Sequence, residues 1–202
     1  MYKGGYELKS ILAISSSPRR NGNSELLLQS FAKGAEEEGC EVSLVRINEL
    51  NIKPCQACDG CAATGECVQK DDMQNIYPQV ASAAGIVLAT PVYFGSLSAQ
   101  LKAFIDRFQS WWHAKYRLNT SKVKPEEGKK AFFICVGALQ KKEYCESALA
   151  VAKIFFHNVN YQYKDCICQR GVDEKGAIKE YPEALQNALD AGRDFAGQTP
   201  EL

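Results

Sequence analysis

Four of the nine cysteines fall within thirteen residues: Cys55, Cys58, Cys61 and Cys67, in the spacing C-x2-C-x2-C-x5-C. Thiolates at such intervals are metal ligands or redox groups. The first three are spaced like the ferredoxin run that wraps three corners of a cubane iron–sulfur cluster, and Cys67 reaches a fourth corner once Gly65 turns the chain. Zinc sites more often use two CxxC pairs set further apart, or add histidines. The two histidines, His113 and His157, lie far away in sequence. The spacing favours iron–sulfur over zinc without excluding zinc, and a loop of four thiols that hold nothing is the plain alternative. A disulfide within the loop is disfavoured in a reducing cytosol.

A second group is built for a different ligand. The stretch SSSPRRNGNS, residues 15–24, offers four hydroxyls, two arginines, two asparagine amides and the flexible Gly22. Ser15, Ser17, Arg19, Asn21, Asn23 and Ser24 are the candidate contacts. A helix following such a loop points its unpaired N–H groups and positive dipole end at it, which suits a phosphate dianion. The loop lacks both G-x-x-x-x-G-K-[ST] and G-x-G-x-x-G, so a terminal monophosphate such as that of FMN fits better than ATP or a dinucleotide. The plain alternative is a turn that only caps a helix. A third stretch, PVYFGS at 91–96, carries Pro91 and Val92, the aromatics Tyr93 and Phe94, and Gly95, where backbone can approach a flat ring closely. Two aromatics merely packed over a sheet end would look the same.

The elements that must position these groups alternate. Apolar runs at 8–14, 41–47, 85–90, 130–136 and 161–168 read as strands. Helical periods occupy 24–39, 96–108, 143–158 and 182–197, with a further helix near 71–84 that restarts at Pro78. Five βα units imply an α/β fold: a flavodoxin-like, doubly wound, five-stranded parallel sheet in the order 2-1-3-4-5 with helices on both faces. Ligands then bind beyond the carboxyl ends of the strands at the switch point, which selects the loops after strands one, three and four, the last containing Gly137. The chain reads as one domain, residues 1–202, with the cysteine-rich loop at 55–67 as an excursion. The 109–128 connection is long. Its Trp111, Trp112, Tyr116 and Arg117 are expected to cover a flavin or form a subunit contact.

Composition narrows the classes. Hydrophobic residues are 46% and charged residues 24%, with zero formal net charge, which argues against nucleic acid as a partner. No apolar run near the start suits a signal peptide or a membrane helix, so the chain reads as cytoplasmic. In that compartment most of the cysteines should be reduced thiols or metal ligands. Cys135 reads as core, and Cys166 and Cys168 as strand packing.

The SPRxxGNS loop, the PVYFGSLSAQLKAFIDR segment and the order of elements resemble the NADPH-dependent FMN reductase family of flavodoxin-like proteins. The resemblance runs from about Ile11 to the last helix. It implies that Ser17, Arg19, Asn23 and Ser24 hold the FMN phosphate and that Pro91, Val92, Tyr93, Phe94 and Gly95 hold the isoalloxazine. Where many members carry Gly-Gly after the fourth strand, this chain has Gly137-Ala138. The cysteine segment, followed by Asp71-Asp72-Met73, resembles the iron–sulfur flavoprotein branch, which implies a [4Fe–4S] cluster on the four loop cysteines. The implied activity is transfer from NAD(P)H through flavin to a small acceptor, such as a quinone, a nitro or azo compound, or free flavin. The alternative is an electron carrier fed by a ferredoxin-like partner. The flavin does the bond chemistry, so no catalytic side chain is nominated. The resemblance also implies a homodimer or homotetramer.

Overall fold

The computed structural model describes residues 10–197. Five parallel strands form its centre: β1 (Ser10–Ser15), β2 (Glu41–Arg46), β3 (Gly85–Tyr93), β5 (Lys130–Gly137) and β6 (Gln162–Arg170). Their order is β2-β1-β3-β5-β6, and the two-residue β4 (Ser96–Leu97) pairs antiparallel with the end of β3. Counted among themselves, the parallel strands run 2-1-3-4-5, as the alternation of apolar runs requires.

The pleat separates two cores. Ile11, Ala13, Val87, Ala89, Phe132, Ile134 and Val136 face α1 (Asn23–Glu37) and α6 (Pro182–Gly197). Leu12, Ile14, Ile86, Leu88, Phe133 and Cys135 face α2 (Met73–Ser82), α3 (Ala99–Asp106), α4 (Gln109–Tyr116) and α5 (Lys142–Asn158). Central β5 is buried along its whole length, whereas the edge strands β2 and β6 alternate or stay half-exposed. Each fully buried Phe or Leu in these layers contributes roughly 1.5–3 kcal/mol. On the first face, α1 and α6 touch backbone to backbone. A Cβ on Gly34 would lie 1.9 Å from the Leu189 carbonyl oxygen, so only glycine allows this contact.

Three elements depart from the sequence expectation. Helix α2 does not restart at Pro78 but continues through it to Ser82, giving up the one N–H bond that residue would have made. The 96–108 segment opens with β4 and becomes helical only at Ala99, where the Ser98 hydroxyl accepts from Leu101 N–H at 3.3 Å. The long connection supplies the extra helix α4. Its Trp111 packs edge-on against Phe108 in the core, with centroids 5.0 Å apart. Trp112 is half-buried beneath the Arg117 guanidinium, and Tyr116 is exposed.

Candidate functional site

The carboxyl ends of β1, β3, β5 and β6 open onto one cavity of about 130 Å³. Ser17, Arg19, Asn23, Ser24, Pro91, Val92 and Tyr93 line it, so the first and third loops meet there. Helix α1 begins at this wall, and Gly22 at its N-cap provides no side-chain cap. The loop folds tightly: a Cβ on Gly22 would lie 2.7 Å from Ser17 Oγ and 2.9 Å from the Arg19 carbonyl. Beside it the Ser24 hydroxyl is buried with no hydrogen-bond partner. Buried hydroxyls rarely stay unpaired, and this one sits at an uncapped helix start, so a phosphate oxygen fits the place.

Several other polar groups of the loop are already engaged. Ser15 is fully buried and directs its hydroxyl to Glu25 at 3.5 Å, away from the cavity. Glu25 is itself fully buried and accepts from Arg46 Nε and a terminal nitrogen at 2.8 and 2.6 Å, so the acid beneath the loop is neutralised. Asn21 is exposed and adopts a φ of 56° in the turn, outside the lining of this cavity. Asn23 lines the cavity but spends its side chain on the chain beyond β6: Nδ2 donates to the Glu174 carbonyl at 2.9 Å and Oδ1 accepts from Ile178 N–H at 3.2 Å. That tie draws in Val172, Asp173 and Lys175, which complete the wall. Sequence reasoning passed over them because it stopped at the fourth strand. The signal was the GVDEKG turn at the end of the fifth.

Buried hydroxyls bind the first loop to the third. Ser98 Oγ donates to Ser16 Oγ at 3.0 Å, Ser16 Oγ donates to the Ala89 carbonyl at 3.0 Å, and Ser98 N–H donates to Thr90 Oγ1 at 3.0 Å. The third loop is a hairpin with Phe94-Gly95 at its tip. Val92 pairs with Leu97 and Tyr93 with Ser96, leaving a two-residue turn with φ of 49° and 75°. Positive φ at both positions is the type I′ pattern, unusual for an aromatic residue. The Phe94 side chain is fully exposed. Between this hairpin and β5 lies an adjoining cavity of about 430 Å³, lined by Val92, Phe94, Gly95, Gly137, Leu139, Tyr144 and Cys145 among others. It has the apolar and aromatic walls that a flat ring would use.

The cysteine loop rises between β2 and α2 and is closed at its base. Asp71 accepts from Lys53 N–H at 3.0 Å and Met73 N–H at 3.1 Å, while Asp72 accepts from Asn51 N–H at 2.6 Å. Arg107, at the end of α3, is buried; it pairs with Asp71 and donates to the Lys53 carbonyl at 2.9 Å. Its second terminal nitrogen reaches Cys67 Sγ at 3.3 Å. Burial opposes the charge on Arg107, but the bonds to Asp71 and Cys67 outweigh it and hold the guanidinium firmly protonated. Inside the loop, Ala57, Asp59 and Gly65 take left-handed backbone, with φ of 49°, 53° and 70°. Burial pushes the Cys61 thiol up, and Cys67, Cys55 and Cys58 push it further. Four cysteines without a histidine are donors of the kind an iron–sulfur cluster takes more readily than zinc, although the loop sulfurs are not drawn together as those of Cys135, Cys145 and Cys168 are.

Outside the loop one expectation is corrected. Cys168 is not a packing thiol; it is joined to Cys145 by a disulfide. Strand β6 sets Cys168 beside Cys135 of β5, and α5 lowers Cys145 onto both. Among the described residues, the one group of three close metal-ligating side chains is this trio, with sulfurs within 4.8 Å of one another.

Comparison with known proteins follows the same lines. The family model for NADPH-dependent FMN reductase matches residues 10–159. An iron–sulfur flavoprotein of Archaeoglobus fulgidus is 43% identical over 113 residues, 56% of this chain and 57% of that one. An iron–sulfur flavoprotein of Methanosarcina thermophila is 42% identical over 97 residues, 48% and 51% of the two chains. The chain thus spans about half the length of the curated relatives it matches. Among solved structures, the NAD(P)H:quinone oxidoreductase from Methanothermobacter marburgensis superposes with a TM-score of 0.73 at 16% identity, covering 96% of this chain and all of that one. A flavone reductase superposes at 0.69 with 20% identity, covering 93% and 62%. These two likenesses concern the flavodoxin-like fold. With its sheet order, its paired loops and the match over most of its length, the chain belongs to the NADPH-dependent FMN reductase family and is similar, within it, to the iron–sulfur flavoproteins.

Proposed function

We propose that the protein is an FMN-dependent oxidoreductase that moves electrons from NAD(P)H to a small acceptor and carries a [4Fe–4S] cluster on Cys55, Cys58, Cys61 and Cys67. The observation that carries the reading is the unpartnered Ser24 hydroxyl, buried at the uncapped start of α1 in a cavity walled by both flavin-type loops. When bound, FMN supplies hydride chemistry and a cluster supplies single-electron transfer.

The chain's own residues set the stage. Ser24, Ser17 and Arg19 face the phosphate position, and Lys175 adds a cation on the opposite wall. Glu25 is kept from repelling the anion by Arg46. The Phe94-Gly95 turn and Gly137 leave space for a planar ring, and Tyr93 lines the adjoining phosphate-side cavity. Arg107 holds Cys67 from the protein side and seals the loop base, which excludes water there. Quinones, nitro or azo compounds and free flavin are the acceptor classes that an open, apolar cavity beside the ring admits.

A second reading is an electron carrier fed by a ferredoxin-like protein. Its support is the exposure of Cys58, which brings the loop's sulfur to the surface where a protein donor could reach it. Iron, acid-labile sulfide and FMN are to be counted on anaerobically purified protein, followed by mixing with NADH or NADPH. About four irons and four sulfides per FMN, with rapid bleaching of the flavin, support the enzyme. Bleaching only by reduced ferredoxin favours the carrier, and flavin without iron removes the cluster.

A further inference from the structure

Four of the five cysteines outside the loop at 55–67 share one core layer: Cys135 on β5, Cys145 on α5, and Cys166 and Cys168 on β6. Cys145 and Cys168 form the disulfide, 23 residues apart in sequence, so it staples α5 to β6. Its place in the sheet matters more than its existence. Cys168 pairs in register with Cys135, and Cys135 with Thr90, the residue before Pro91 of the flavin-type loop. Two residues beyond Cys135 comes Gly137, which lines the apolar cavity between the hairpin and β5. Cys145 lines that same cavity, with Tyr144, Gly95 and Phe94. The disulfide therefore forms part of the wall of the ring cavity, on the sheet face opposite α1.

We infer that Cys145–Cys168 is a redox-active disulfide that exchanges two electrons with flavin bound in the adjoining cavity. The inference rests on the FMN reading above. In the reductive direction two electrons and two protons leave the reduced flavin, the Sγ–Sγ bond breaks, and one S–H forms on each sulfur, leaving oxidised flavin. The reverse step returns the pair to the flavin. Cys145 is the residue of the pair that lines the cavity, and Cys168, half-buried on β6, is its partner. Cys135 lies within 4.8 Å of both, but burial first and Cys166 second push its thiol up to about 12. It stays protonated at neutral pH and does not compete for the pair, since thiolates carry exchange. The protein would then hold two more electrons than its flavin and cluster together.

The test uses the full-length, FMN-loaded protein under anaerobic conditions. Bound flavin is reduced by illumination with EDTA, in which the flavin itself takes up the electrons. The sample is quenched in acid, unfolded and alkylated with N-ethylmaleimide, and the peptides carrying Cys145 and Cys168 are weighed. The expected result is a linked, unlabelled pair before illumination and two labelled thiols after it, with no change in flavin-free protein. In a reductive titration, wild type should take up two more electrons per flavin than Cys145→Ser. Equal labelling before and after flavin reduction overturns the inference, as does finding both thiols already labelled in oxidised protein. Quenching of FMN fluorescence in the same sample reads the cofactor separately. Flavin bound with the disulfide unmoved removes only this inference, whereas no flavin binding removes both readings. The labelling uses wild type, so a variant that fails to fold does not blunt it.

Discussion

Arg107 donates a hydrogen bond of 3.3 Å to the sulfur of Cys67, from a side chain that is buried and paired with Asp71. The two residues are 40 positions apart, and the contact joins the helix after the flavin-type hairpin to the last cysteine of the loop. Removing one partner of a buried ion pair leaves an uncompensated charge, which costs about 3–5 kcal/mol. Arg107→Gln should therefore lower the stability by that order in denaturant melts, and iron content should fall with it. Arg107→Lys should not restore either, because an ammonium cannot reach Asp71, the Lys53 carbonyl and Cys67 together.

The same pair sets an acid limit. Burial alone would raise the Asp71 carboxyl, but the hydrogen bonds from Arg107, Lys53 N–H and Met73 N–H outweigh it and hold the pKa below the ordinary 3.8. A carboxyl lower in the folded than in the unfolded chain contributes stability above its unfolded pKa and loses it as pH falls through the folded one. Thermal melts should show a drop in stability below about pH 4. Asp71→Asn should be less stable at neutral pH and lack that particular drop.

Ser24 offers a clean separation of binding from folding. Its hydroxyl has no partner within the protein, so Ser24→Ala should leave the melting temperature of the flavin-free protein unchanged. One lost hydrogen bond to a charged phosphate is worth about 1.5–3 kcal/mol. FMN affinity by fluorescence titration should fall roughly 10- to 100-fold, while riboflavin, which lacks the phosphate, should bind both proteins alike.

Phe94 holds a left-handed turn position with its ring wholly in solvent, which is the least economical use of an aromatic residue unless something covers it. Asn-Gly is the preferred pair for such a turn. Phe94→Asn should leave stability equal or raise it by up to about 1 kcal/mol. Steady-state flavin turnover should drop with the same variant, since it removes the aromatic surface beside the ring cavity. Turnover unchanged in Phe94→Asn would remove the aromatic ring's proposed role.

Cys61 is the third of the four proposed cluster ligands and is half-buried. Cys61→Ala should abolish iron binding, read by iron and sulfide analysis, and keep FMN at wild-type stoichiometry. The phosphate and ring cavities contain no residue of the loop. Loss of both cofactors together would show that the loop also shapes the flavin site.

The sheet was legible because β1, β3 and β5 are apolar runs covered on both sides, β2 and β6 alternate as edge strands do, and the helices between them repeat at their own period. Ser17, Arg19, Ser24 and Tyr93 were legible as cavity residues because they follow strands at the switch point, where the fold places ligands. Ser15 and Asn21 were not distinguishable from them by type alone; one turns inward to Glu25 and the other serves the backbone. The Cys145–Cys168 pair was hidden for a different reason. Its members lie on a helix and an edge strand, and only the packing of α5 on the sheet, with β6 in register beside β5, brings them together. Nothing in its type or spacing marks Arg107, whose burial depends on Asp71 arriving from the far side of the loop.

The closed base of the cysteine loop has a consequence for the history of such chains. Lys53 and Asp71 are 18 positions apart yet share a hydrogen bond, and Asn51 meets Asp72 next to it. Everything the sheet needs is therefore complete on either side of that clasp. Loop-closure entropy grows only slowly with length, by about 0.6 kcal/mol per doubling, so segments of very different size could be exchanged above it at little cost. A flavin-binding scaffold built this way can gain, lose or replace a metal-binding cassette as a cartridge is changed, with its flavin chemistry left intact underneath.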